Sequence, residues 1–244
     1  MSRLPVQFIV KLLGLCGAVL LVVCVSGCAS HRMTAAWQIG QTVGESPSFA
    51  AAEQAVRGAF PPAYRATQRA IITVRQRQCV CDGLLTVSPA EGWHLALVST
   101  LGLVTDVRVR SDGSSEVMKV TPLFREDWAR DYVARELRWL FRPPTELVPA
   151  GCLSDGRLML ESSGGAEGCT ARYLCSANGS RWEELEVLSG ARRMMHAKVS
   201  GYRDVAGWPH AVPMEMDVTT DTHELHVRMA ALSLADAAPP EGGR

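Results

Sequence analysis

The sequence has no charge excess, no long membrane-spanning run and no recognisable catalytic or metal-binding motif. Twenty-five basic side chains are matched by twenty-five acidic ones. With no basic surplus to neutralise phosphates, nucleic acid is excluded as the expected partner. No C-x-x-C occurs, and Cys79-x-Cys81 lacks a zinc-knuckle spacing. Ser162-Ser163-Gly164-Gly165 is not a G-x-S-x-G elbow and reads as a turn. His31, His94, His196, His210, His223 and His226 form no ligand motif. His223 and His226 are three apart, which on a strand sends them to opposite faces. Glu126, Asp127 and Asp131 read as a solvated helix face, and Asn178-Gly179-Ser180 as a turn. No catalytic residue, metal or cofactor is therefore expected, and the chain is not expected to be an enzyme.

The apolar run is short. It extends from Leu12 to Val25, behind Arg3 and Lys11, the only charges before His31. A comfortable bilayer span needs about 20 apolar residues. A basic start, a shorter apolar stretch and then small residues are the parts of a secretory signal. This one ends in Val25-Ser26-Gly27-Cys28, which resembles the bacterial lipobox. The resemblance implies cleavage before Cys28, lipid attachment to its thiol, palmitate included, and membrane anchoring. The competing reading is an ordinary signal peptide or anchor with a chance cysteine. In the sorting rule this resembles, Asp after the cysteine favours the inner membrane. Ala29 and Ser30 follow here, which implies the outer membrane, on its periplasmic side. Two or three acyl chains anchor stably where one is marginal.

Removing residues 1–27 leaves 217 residues with 23 basic and 25 acidic side chains, enough for one domain with a real core. Beyond Cys28 stand Cys79, Cys81, Cys152, Cys169 and Cys175, an odd number that cannot all pair internally. Cys169 and Cys175 on one strand would lie about 20 Å apart, too far to bridge. The expected organisation is a signal peptide at 1–27, a lipidated tether at 28–47, a domain at 48–234 and a disordered tail at 235–244.

Within the domain, Ser48 can cap a short helix with Phe49, Ala52, Val56 and Phe60 on one face, stopped by Pro61-Pro62. Strand patterns follow at 69–77, 79–88 (bent at Asp82-Gly83), 92–99, 103–111 and 115–121, with Asp112-Gly113 a hairpin turn. The period then changes. Phe124, Trp128, Tyr132, Val133, Leu137, Leu140 and Phe141 recur at helical spacing, with Glu126 and Asp127 in the first turn and Arg138 and Arg142 in the last. Pro143-Pro144 ends that helix. Strands resume at 157–162, 170–177, 181–188, 191–202, 212–218 and 224–231. The expected fold is α+β, mainly β: an antiparallel, strongly curled sheet (an incomplete barrel) of about eleven strands, with helices covering its concave face.

Thr121-Pro122-Leu123-Phe124, the helix after it, and Tyr202-Arg203-Asp204-Val205-Ala206-Gly207-Trp208-Pro209 leading into Val212-Pro213-Met214-Glu215-Met216 carry a family likeness. Over about residues 48–232 the chain resembles LolB and its periplasmic partner LolA. It is also similar to a LolB-like branch of outer-membrane lipoproteins associated with aryl-polyene lipid pathways. The resemblance implies a helical lid over an acyl-chain cavity, acyl-chain or lipoprotein cargo, and a periplasmic carrier protein as partner. Cavity candidates are Leu95, Leu97, Val107, Val109, Met214, Met216, Leu225 and Val227; lid candidates are Trp128, Tyr132, Leu137, Trp139 and Phe141. LolB carries an exposed apolar loop residue that helps insert cargo into the membrane. Leu101 and Leu103 are candidates for it, with Leu84 and Leu85 as rivals. The cysteines depart from the family pattern. The alternative to lipid binding is a structural or assembly lipoprotein with a filled core and a protein partner.

Overall fold

A computed structural model of the chain describes residues 47–60, 62–74, 76–121, 126–141, 144, 146–162, 168–208 and 210–234. The signal peptide, Cys28, most of the tether, Pro122–Phe124, Ser163–Gly165 and the tail from 235 lie outside them.

Among the described residues, twelve strands form one antiparallel sheet. They are β1 (Tyr64–Val74), β2 (Arg77–Ser88), β3 (Gly92–Ser99), β4 (Gly102–Val109), β5 (Ser115–Val120), β6 (Val148–Cys152), β7 (Leu158–Ser162), β8 (Thr170–Cys175), β9 (Trp182–Ser189), β10 (Arg192–Ser200), β11 (Glu215–Thr220) and β12 (Glu224–Leu234). Their order is β5-β4-β3-β2-β1-β12-β11-β10-β9-β8-β7-β6. Two meanders are thus joined by one long-range pairing, β1 with β12. The sheet is open, with β5 and β6 at its edges.

The sequence pattern predicts eleven strands; the missing one is β6. Its Pro149 and Gly151 hide the alternation, and the edge position tolerates them, because a proline there forfeits only a ladder bond facing away from the sheet. The strand expected at 69–77 starts earlier, at Tyr64. β2 runs through Asp82-Gly83 as one strand and pairs with β1 at both residues without a register shift. The irregularity lies instead between Thr67 and Gln68, opposite β12. The last two strand patterns do form a hairpin, closed by Thr220 N–H to His223 O at 2.9 Å.

Alternation puts one face of every strand into one core. Leu95 opposes Val107 on one side and Leu85 on the other, and Leu85 opposes Ala66. Val227 pairs with Ala70 and Met216, and Met216 with Val199. All are buried, and all but Ala70 belong to one hydrophobic cluster.

Both helices join it. α1 (Pro47–Arg57) begins one residue before the expected cap, so Ser48 lies inside it. Its expected face, Phe49, Ala52 and Val56, is buried, with Phe60 just beyond. α1 packs against β7 and β9. The β8–β9 turn presses on it: a Cβ on Gly179 would meet Ser48 O at 2.2 Å. That glycine also has φ +71°, a conformation that side chains other than glycine's disfavour.

α2 is built of three consecutive pieces, α-helical Glu126–Trp128, π-helical Ala129–Val133 and α-helical Ala134–Phe141. The π turn is closed by Ala134 N–H to Ala129 O. Two fully buried alanines, Ala129 and Ala134, face the sheet there. α2 packs against β4 and β5. Arg138 Nη1 donates to Gly113 O at 2.7 Å, tying its last turns to the β4–β5 hairpin. Phe141 meets Phe60 edge to face, with ring centroids 5.1 Å apart. None of the described helices is long and apolar enough to cross a membrane.

Candidate functional site

The space between α2 and the sheet holds a cavity of about 50 Å³. Its floor is Gln68, Ala70 and Ile72 of β1, Leu95 and Leu97 of β3, and Leu225 and Val227 of β12. Its roof is Trp128, Val133, Glu136, Leu137, Leu140 and Phe141, with His223 beside them. β2 lies between β1 and β3 yet adds nothing to the lining. Its inward residue opposite Gln68 is Gly83, and Leu97 and the Gln68 side chain fill that gap, 2.8 and 3.0 Å from where a Cβ would sit.

The predicted site residues divide accordingly. Leu95, Leu97, Leu225, Val227, Trp128, Leu137 and Phe141 line the cavity together. Val107 and Val109 are fully buried in the same core, outside the lining. Met214 and Met216 are also core, not lining. Tyr132 and Trp139 are outside the lining, and the Arg135 guanidinium lies 5.0 Å from each of their ring centres. Leu101 stands 82% exposed at the tip of the β3–β4 hairpin, and Leu103 is half-buried. Of the rivals, Leu85 is fully buried and Leu84 is a half-exposed strand residue, not a loop residue.

Three polar lining residues escape a reading of apolar periodicity: Gln68, Glu136 and His223, each less than 8% exposed. Glu136 Oε1 lies 3.0 Å from His223 Nε2, at ion-pair distance without hydrogen-bond alignment. His223 Nδ1 lies 2.8 Å from Thr222 Oγ1 and 3.1 Å from Thr220 Oγ1. The rings of Trp128 and Tyr132 meet the imidazole edge to face, each 6.1 Å away. A histidine at the β11–β12 turn thus holds the middle of α2. The hydroxyl, imidazole and carboxylate are arranged as a turn network: Thr220 Oγ1 also accepts the backbone N–H groups of Thr222 and His223. The one hint in sequence is that Glu136 falls between Val133 and Leu140 on the face of the helix that must be buried.

Three other histidines lie on the sheet's outer face, paired with cross-strand carboxylates: His94 with Asp106 at 2.7 Å, His196 with Glu184 at 2.8 Å, His226 with Asp217 at 2.6 Å. His226 points away from the core while His223 is buried in it, as their spacing requires. The His196 hydrogen bond, with help from Arg157, holds the Glu184 carboxyl down at about 2. Among the described residues no group of three ligating side chains could hold a metal ion. Cys79 and Cys81 point the same way along β2 with their sulfurs 3.4 Å apart, and burial with the neighbouring thiol pushes Cys81 up to about 12. Burial likewise pushes Cys175 up to about 12. Asn178 is a turn residue; its Oδ1 accepts from Ser180 N–H at 3.1 Å.

No family model matches the sequence, and no curated protein matches it. Solved structures do. A LolA superfamily protein of Nitrosomonas europaea superposes with a TM-score of 0.53 at 10% identity, over 79% of this chain and 95% of the other. A domain named for outer-membrane lipoprotein sorting, from Vibrio parahaemolyticus, gives 0.52 at 10% identity, over 79% and 94%. The fold is shared with these two structures. The likeness inferred from sequence therefore holds for the architecture; the aryl-polyene association finds no counterpart in these structures.

Proposed function

We propose that this chain is a lipid-anchored outer-membrane protein that takes up acyl chains, free or on lipoproteins, between α2 and the sheet. The observation that carries the proposal is the cavity roofed by Leu137, Leu140 and Phe141 and floored by Ile72, Leu95 and Leu225. In this reading the sheet curls around that space and α2 is its lid. Anchoring is through Cys28, with residues 28–47 as tether, and delivery of cargo comes from a periplasmic carrier. Leu101, exposed at a hairpin tip, is the residue that would touch the membrane.

As it stands the cavity has little more room than one or two waters, each about 30 Å³ in the liquid. A methylene is of similar size, so a twelve-carbon chain needs about 350 Å³ by that scale. Entry therefore requires α2 to lift. Burial of the chain returns ~0.8 kcal/mol per methylene and re-covers the side chains that lifting exposes. The π turn within α2 is a natural place for that movement, since such turns interrupt the regular helical ladder.

A second reading has the specific support of the same small volume: a filled core in an assembly lipoprotein that binds a protein partner. Native mass spectrometry of the purified full chain separates the two. The proposal expects co-purifying or added lipid bound at one chain or lipoprotein per protein. A protein that stays lipid-free at saturating acyl ligand sinks it.

A further inference from the structure

Gln68 is an anomaly in the floor of the cavity. It is 7% exposed, its Oε1 has no hydrogen-bond partner, and its neighbours in the lining are Ala70, Ile72, Leu97 and Val227. A buried amide without a partner costs free energy comparable to a lost hydrogen bond. A leucine there would avoid that cost. The backbone is also specialised around it. β1 shifts register against β12 between Thr67 and Gln68, and the residue opposite on β2 is Gly83. The Gln68 side chain packs over that glycine, its Cγ and Nε2 3.0 and 3.2 Å from where a Cβ would sit. Gln68 also lines the groove on the opposite face, beside Arg69, Arg203 and Arg228.

From this we infer that Gln68 is a head-group selector: the cavity takes acyl chains whose first polar group both donates and accepts a hydrogen bond, an amide or a hydroxyl, in preference to simple esters. This rests on the acyl-binding reading above. A glutamine offers one N–H edge and one carbonyl edge. An acyl amide presents the complementary pair and satisfies both. A hydroxyl can donate to Oε1 and accept from Nε2–H. An ester accepts only, and leaves Oε1 buried and unpaired. The hydrocarbon then runs along Ala70 and Ile72 of β1 and Leu225 and Val227 of β12, toward His223.

The test uses the purified full chain and three ligands of one chain length: N-methyldodecanamide, dodecanol and methyl dodecanoate. The native protein should bind the amide and the alcohol about five- to tenfold more tightly than the ester, the effect of one net hydrogen bond. Gln68→Leu should bring all three within about twofold while binding the ester at least as well, and should not lower Tm, since it removes an unpaired buried amide. An amide preference without an alcohol preference assigns the site to amide-linked chains; the reverse assigns it to hydroxylated ones. Equal binding of all three by the native protein, or a preference that survives in Gln68→Leu, overturns the selector while leaving acyl binding intact. Failure of all three to bind removes the acyl-binding reading itself and the selector with it.

Discussion

The Glu136–His223 contact makes a sharp quantitative case. The two side chains are 6% and 2% exposed, so water cannot rescue either one when its partner is removed. Their alternatives differ. His223 keeps Thr220 and Thr222 at Nδ1, whereas Glu136 Oε1 has no other partner. His223→Leu therefore strands a carboxylate beneath α2, and should cost about 3–5 kcal/mol. Glu136→Leu strands only an imidazole N–H, and should cost about 1–3 kcal/mol. Replacing both with leucine leaves neither member of the pair stranded in a site walled by Trp128, Leu137 and Leu225, and should return stability to within about 1 kcal/mol of the native protein. The double-mutant cycle should thus show a coupling of at least about 3 kcal/mol. Urea unfolding at neutral pH measures all four proteins, with equal slopes as the check that the same surface unfolds. Amide exchange in 134–141 should quicken in His223→Leu and recover in the double variant. Single costs that add to within about 0.5 kcal/mol in the double variant would show that the pair is not coupled and does not hold the helix.

Other expectations follow from single features. Glu184, held near 2 by His196 and Arg157, is charged in the folded state well below its ordinary value near 4.5. Its stabilisation is therefore complete above about pH 4.5 and lost as pH falls toward 2; with partial exposure this amounts to about 1–2 kcal/mol, and Glu184→Gln should flatten the stability profile across that window. Gly179→Ala should lower stability by more than about 1 kcal/mol, because its φ is +71° and the new methyl would strike Ser48 O; an unchanged Tm would show that the β8–β9 turn does not press on α1. Leu137→Ala should cost about 2–5 kcal/mol in denaturant titrations and enlarge the cavity; a loss under 1 kcal/mol would mean that α2 packs loosely. Leu101→Asp should leave Tm unchanged, as the side chain is 82% exposed, yet slow transfer of bound acyl ligand to vesicles; equal transfer rates would remove Leu101 from the membrane contact.

The buried and exposed faces could be read from local pattern. Period-two runs located eleven of the twelve strands, and the spacing of Val133, Leu137, Leu140 and Phe141 set the buried side of α2. Asp112-Gly113 and Asn178-Gly179 marked turns because their glycines must take positive φ. These signals are local, and they survive whatever the chain packs against. The rest depends on how distant segments pack. β6 has no alternation to read, and exists because β7 offers it an edge. Val107, Met214 and Leu225 share the same strand signature, yet only Leu225 faces the gap under α2, since that depends on where the helix crosses the sheet. Gln68, Glu136 and His223 look like surface residues one at a time. They became the polar features of an apolar cavity because β1, α2 and the β11–β12 turn, far apart in sequence, meet at one place, and no periodicity within a single element carries that information.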